Sequence, residues 1–89
     1  MPLPFTAFVL SLASTAAIHF GDLPDPMSGQ NAEPNLEGAT QMIEILELLH
    51  QKTQGNLTAE ERQVLEQVLY ELRMRFVMAS SGGERIIEP

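Results

Sequence analysis

The hydrophobic positions of this chain recur with the three-to-four-residue period of an α-helix in three separate segments. In the first segment they form one stripe: Phe5, Phe8, Val9, Leu12, Ala16 and Phe20. A stripe of this width is typical of a helix that packs against a core. Thr6 is a suitable N-cap and Gly21 a suitable left-handed C-cap, so the pattern predicts a helix over about residues 6–20.

The other two segments predict a pair of helices separated by a short break at Gly55. Their apolar stripes comprise Leu36, Ala39, Met42, Ile43, Leu46, Leu49 and Thr53, and then Val64, Leu65, Val68, Leu69, Leu72, Phe76 and Ala79. Asn35 can cap the first of the pair, and Thr58 with Glu61 forms a capping box for the second. Because the break is short, helices over 36–54 and 58–79 should fold back as an antiparallel hairpin.

The stretch between the first helix and this hairpin is predicted to be a loop. Residues 21–35 hold three prolines and two glycines without helical periodicity. Connections in compact domains usually have about 2–8 residues, so this loop is long. The sequence therefore predicts one all-α domain over residues 1–89: an apolar N-terminal helix, a long Pro-rich loop, a helical hairpin over 36–79 and a flexible tail over 80–89.

Charge and composition exclude several classes of partner and site. Twelve acidic residues against five basic ones give a net charge of −7, which is the wrong sign for binding nucleic acid or an anionic membrane surface. The absence of cysteine excludes disulfides, thiolate metal sites and cysteine nucleophiles. The first helix lacks the basic residues that precede a secretory signal, and five polar side chains interrupt it, so we expect no signal peptide or membrane anchor. A secreted or peripheral membrane protein is the minor alternative.

The first helix also suggests that the chain assembles with itself. Leu10 and Ile18 point away from its main stripe, and the helix carries no Asp, Glu, Lys or Arg. Only two other helices are available to cover it, so we expect a second copy to complete the fold, with a dimer as the default. Tyr70, Met74 and Val77 form a second apolar face on the third helix, which either packs under the first helix or serves as the next contact surface.

The predicted function is thus a non-enzymatic helical oligomerisation or interaction module without a cofactor, with an unidentified protein partner also open. The alternative is a metal-binding carboxylate bundle assembled across a dimer. It rests on Glu47 and His50, an acid and an imidazole one helical turn apart, as in dinuclear iron proteins. These are weak candidates, because a histidine near a helix end is also stabilised by the helix dipole. A cluster of His19, Asp22 and Asp25 is weaker still.

Two arginines on the third helix complete the list of charged candidates. Arg73 and Arg75 lie close in sequence to Glu66 and Glu71, so they are interpreted as part of a solvated, partly ion-paired face of that helix.

Three separated segments carry a resemblance to a known family: FVLSLASTAAIHFGDLPDP, QKTQGNLTAEE and VLYELRMRF. They resemble a family of short bacterial helical proteins described as domain of unknown function 1844, over roughly residues 5–77. The resemblance implies a bacterial, cytoplasmic helical protein. It brings no assigned activity, so it identifies no site residue.

Overall fold

The computed structural model describes residues 2–85, and of residues 82–85 the backbone only. It contains helices α1 (Phe5–Phe20), α2 (Leu36–Lys52) and α3 (Ala59–Arg85). Within the described residues there is no β-strand, and a single bridge pairs Pro24 with Asn31 in the loop between α1 and α2. Each helix contacts both of the others, so the chain is an all-α three-helix bundle.

Contacts between helices define their directions. Along α2 the residue number rises from Glu47 to His50, while their partners on α3 fall from Arg73 to Glu66, so α2 and α3 are antiparallel. At the other end of α2, the carbonyl of His19 accepts the N–H of Asn35. This places the end of α1 beside the start of α2, so α1 is antiparallel to α2 and runs in the direction of α3.

Three helix ends follow the predicted caps. The Asn35 side chain accepts the N–H of Gly38 at 3.0 Å. Both bonds of the capping box form, at 2.9 Å from the Thr58 N–H to Glu61 and at 3.1 Å from the Glu61 N–H to Thr58. Gly21 ends α1 in the left-handed conformation at φ 83°. These bonds satisfy backbone groups that helix ends leave without partners.

The start of α1 and the end of α3 differ from the prediction. Thr6 is not an N-cap: α1 begins at Phe5 after Pro4, whose φ of −65° already suits a helix start. The chain does not leave the helix at Ser80 either, because α3 continues to Arg85. Ser80 and Ser81 each donate a hydroxyl hydrogen bond to the carbonyl of Val77, which accommodates them inside a helix. Residues 86–89 of the predicted tail lie outside the described part.

The core lies where the three apolar stripes meet. Its largest fully buried side chains are Val9, Phe20, Leu46 and Leu65, so every helix contributes at least one. The half-buried Phe5, Leu12, Leu49, Val64 and Phe76 pack around them. Burying a side chain of this size is worth about 1.5–3 kcal/mol, which makes this cluster the main source of stability.

The face of α1 that points away from the core is polar. Ser11, Ser14 and Thr15 are exposed on it. The Ser11 hydroxyl donates to the carbonyl of Phe8 at 2.7 Å, and the Thr15 hydroxyl to that of Ser11 at 3.1 Å. The hydroxyls of Ser11 and Thr15 thus face water and have partners within their own helix, although the neighbouring Leu10 is 52% exposed.

Gly38 marks a close approach of α1 to α2. A Cβ atom there would lie 2.6 Å from Nδ1 of His19 and 2.9 Å from the amide nitrogen of Asn35. We predict that Gly38→Ala lowers the free energy of unfolding by about 1 kcal/mol or more, because the clash outweighs the gain in helix propensity. Chemical denaturation of Gly38→Ala, His19→Ala and the double variant tests this. A loss that is no smaller in the His19→Ala background would contradict the assigned clash.

Candidate functional site

Glu47 and His50 each bind a residue of α3. Glu47 accepts two hydrogen bonds from the guanidinium of Arg73, at 2.9 and 3.1 Å. His50 Nε2 lies 3.1 Å from a carboxylate oxygen of Glu66. Among the described residues, no group of three or more His, Asp or Glu side chains is placed to hold a metal ion. The two weak candidates therefore connect α2 to α3.

These contacts give a prediction about metal content. We expect purified protein to contain less than one iron, manganese or zinc ion per chain, because the Glu47 carboxylate already neutralises Arg73. Elemental analysis of the native protein and of His50→Ala should give the same low content. Stoichiometric metal that His50→Ala abolishes would restore the metal-binding alternative.

The second candidate cluster does not form. The ring of His19 packs against Gly38 of α2. Asp22 turns to α3, and Asp25 accepts the N–H of Met27 at 2.8 Å in a local turn. Since each of the three side chains has a different neighbour, the structure gives them no shared chemistry.

Asp22 and Arg75 instead form a junction between α1 and α3. Arg75 donates two hydrogen bonds of 2.7 Å to the two carboxylate oxygens of Asp22. Its guanidinium also lies 5.1 Å from the ring centroid of Phe20, which is within the range of a cation–π interaction. The hydrogen bonds from Arg75 lower the pKa of Asp22 below its ordinary 3.8, and the same bonds raise the pKa of Arg75. Thus Arg73 and Arg75 both reach other elements instead of pairing along α3.

The junction predicts a pH-dependent contribution to stability. The pKa of Asp22 is lower in the folded chain than the unfolded value of 3.8, so the contribution is full above pH 3.8 and is lost as the pH falls through the folded value. Both side chains are partly exposed, so we expect Asp22→Asn to cost about 0.5–1 kcal/mol near neutral pH. Denaturation across pH should show this difference shrinking in acid. Glu33→Gln, in the same loop, is the control, and a difference for Asp22→Asn that persists unchanged in acid would refute the junction.

The outer side of α3 carries a row of exposed apolar side chains. Tyr70 is 61% exposed, Met74 46%, Val77 56% and Met78 62%. We call these four residues the α3 apolar face. The sequence left open whether α1 covers Tyr70, Met74 and Val77, and the structure shows that it does not. Met78 belongs to the same row.

The first-helix candidates are less accessible than the sequence suggested. Leu10 is 52% exposed and lines a shallow depression with Val64 and Val68 of α3. Ile18 is half-buried, so intrachain packing covers more of it than the hydrophobic pattern suggested. The two residues do not form one exposed apolar surface, because Leu10 points toward α3.

Sequence reasoning missed several exposed apolar side chains. Phe8, predicted on the core stripe of α1, is 39% exposed, and Leu3 and Leu23 are 68% and 42% exposed. Ile45 and Leu48 lie on the outer side of α2, and their i, i+3 spacing among polar residues was the available signal.

Met27 is 93% exposed. It lies in a turn that Asp25 and Gly29 close through a 2.7 Å backbone hydrogen bond, and nothing in the hydrophobic pattern distinguishes it from other loop residues.

Comparison with known families supplies an assignment. The family model described as Domain of unknown function (DUF1844) matches residues 2–78. The chain belongs to the DUF1844 family. The match covers α1, α2 and α3 as far as Met78, so it includes the whole α3 apolar face of this DUF1844 chain. No curated protein and no solved structure matches it. In its described residues, none of the helices has the length and apolar character to cross a membrane.

Proposed function

We propose that this DUF1844 protein is a non-enzymatic helical module that forms a homodimer through the α3 apolar face. The observation that carries the proposal is the row of four exposed apolar side chains on one side of α3. Contiguous apolar surface of this kind is uncommon on monomers and marks interaction sites. Methionine side chains adapt their shape to a partner, which suits two of the four residues to an interface.

The size of the molecule is compatible with such a contact. A stable interface usually buries about 800 Å² on each partner. The chain exposes 6144 Å², so a dimer contact would cover about one eighth of its surface. The α3 apolar face spans eight residue steps, or about 12 Å of helix, so neighbouring side chains would have to contribute to a contact of this area.

Charge is distributed so that the proposed contact avoids most of it. Along the helix the α3 apolar face continues into the uncharged Gln67 and Ser81, and Glu66, Glu71 and Arg73 lie beside it. Of the nearest charged groups, Arg73 is neutralised by Glu47, and Glu71 accepts a hydrogen bond from Gln67 at 2.8 Å. Each copy carries a net charge of −7, so the two copies repel each other outside the contact. Salt screens this repulsion, and we therefore expect moderate salt to strengthen the dimer.

The other apolar features make weaker interfaces. The outer side of α1 carries three exposed hydroxyl residues, and Leu10 lies in a depression. Ile45 and Leu48 are only two residues, and Gln41, Glu44 and Lys52 surround them in the helical register. We therefore propose the α3 apolar face as the contact in preference to the outer side of α1. A cytoplasmic location remains an expectation from the family resemblance.

The experiment is light scattering at micromolar concentration on matched variants. We expect the native protein to have twice the 9.8 kDa chain mass. Met74→Glu should give the monomer mass, because it places a charge in the centre of the proposed contact. Ile45→Glu is the control, because Ile45 and Met74 are both 46% exposed and each variant places a charge at an equally exposed position.

Each outcome separates one interpretation from another. A native mass of one chain with intact helical circular dichroism would overturn the proposal and leave the α3 apolar face to a different protein partner. A dimer that Leu10→Glu dissociates and Met74→Glu does not would place the contact on α1.

A further inference from the structure

We propose that the loop between α1 and α2 is a preformed recognition element whose tip, Met27, contacts an apolar surface bordered by basic side chains on a different protein. The proposal does not depend on the homodimer, because it uses this loop and not the α3 apolar face. It rests on the length of the loop, its internal hydrogen bonds, the exposure of Met27 and the acidic residues around it.

The loop is longer than the connection it makes. The carbonyl of His19 accepts the N–H of Asn35 at 2.6 Å, so the end of α1 and the start of α2 are already in contact. Connections between neighbouring helices usually have about 2–8 residues. Residues 21–35 lie between these two helices, so much of the loop is not needed to join them.

The additional residues form an ordered turn. The Asp25 N–H donates to the carbonyl of Gln30 at 2.9 Å, and the Gly29 N–H donates to the carbonyl of Asp25 at 2.7 Å. The Asp25 side chain accepts the N–H of Met27 at 2.8 Å. Gly29 has a positive φ of 74°, which glycine adopts without strain, so its presence favours this turn.

Two contacts attach the turn to the bundle. The Asn31 side chain donates to the carbonyl of Gly21 at 2.9 Å, next to the end of α1. Asp22 accepts two hydrogen bonds from Arg75 of α3. A loop that is held in place before binding loses less conformational freedom when a partner binds it. The loop is therefore suited to present its tip in one arrangement.

Met27 is the residue that we expect to contact the partner. Its side chain is 93% exposed, the highest value among the large apolar side chains in the described part of the chain. Methionine is unbranched and flexible, so it adapts to apolar surfaces of different shapes. Loops positioned by a rigid scaffold often carry binding residues, and a few apolar anchors supply most of the binding energy of an interface.

The charges near Met27 indicate the character of the partner. Asp25 lies two residues before it, and Glu33 and Glu37 follow at the end of the loop and the start of α2. Among the described side chains, none of these three carboxylates forms an ion pair. No Lys or Arg precedes Lys52 in the sequence. A surface with basic side chains around an apolar centre complements this charge, whereas another acidic protein would be repelled.

The test uses an amphipathic helical peptide as the probe. The peptide has leucines on one face and lysines on the other over about four helical turns, and its control has glutamate in place of every lysine. Isotope-labelled methionine methyl groups let NMR follow Met27 in the loop separately from Met42 in the core. We expect the lysine peptide to shift the Met27 signal and to leave the Met42 signal unchanged. The glutamate peptide should shift neither.

Matched variants separate the loop from other exposed apolar positions. Met27→Ser should weaken binding of the lysine peptide about tenfold, because it removes the side chain that the peptide buries. Ile45→Ser, on the outer side of α2, should leave the affinity unchanged. Each variant is also made with Met74→Glu, which should retain the Met27 shift while it dissociates the proposed dimer. Circular dichroism verifies that every variant folds.

Three results would overturn the proposal. The first is an unchanged affinity for Met27→Ser, or an equal loss for Ile45→Ser. The second is equally strong binding of the glutamate peptide, since the contact would then not depend on charge. The third is a lysine peptide that shifts the Met74 and Met78 signals without the Met27 signal, which would assign its binding to the α3 apolar face. Light scattering measures the dimer separately, so failure of one proposal leaves the other intact.

Discussion

The structure depends on the packing of one side of α1 into the groove of the α2–α3 hairpin. A chain of 89 residues has only enough apolar surface for one small core, and α1 supplies the fully buried Val9 and Phe20 to it. At the end of α1, Arg75 covers the ring of Phe20 and binds Asp22 through two hydrogen bonds. Once α1 occupies the groove, none of the described helices covers the outer side of α3. The exposed row on α3 is thus a direct consequence of how the core is filled.

Local features of the fold could be predicted because they depend on neighbours in sequence. The Asn35 cap, the Thr58–Glu61 capping box and the hairpin turn at Gly55 each involve residues a few positions apart. The contacts between helices could not be predicted in this way. Glu47 reaches Arg73 across 26 positions and Arg75 reaches Asp22 across 53. Such pairs are set by helix register and crossing angle, which the hydrophobic pattern leaves undetermined.

The same distinction explains which parts of the candidate site were predicted. Tyr70, Met74 and Val77 stand apart from the α3 stripe in any helical projection, so sequence identified them as a second face. Whether α1 would cover them depended on the bundle geometry. The absence of charge on α1 does not make all of its surface apolar, because the Ser11 and Thr15 hydroxyls on its outer side bond to helix carbonyls and face water. Exposure of an uncharged helix therefore has to be evaluated from hydroxyl positions as well as from charge.

The central claim is that the α3 apolar face is exposed in the free chain and buried by self-association. The methionines report on it directly: Met42 is buried in the core, Met27 is 93% exposed in the loop, and Met74 and Met78 lie on the α3 apolar face. Peroxide oxidation can be followed residue by residue by mass spectrometry across a dilution series. The oxidation rate of each methionine is then compared between protein concentrations. Our account predicts that Met74 and Met78 oxidise more slowly as the protein concentration rises, while Met27 keeps a constant rate and Met42 stays protected. Constant rates for Met74 and Met78 from nanomolar to high micromolar concentration would contradict it.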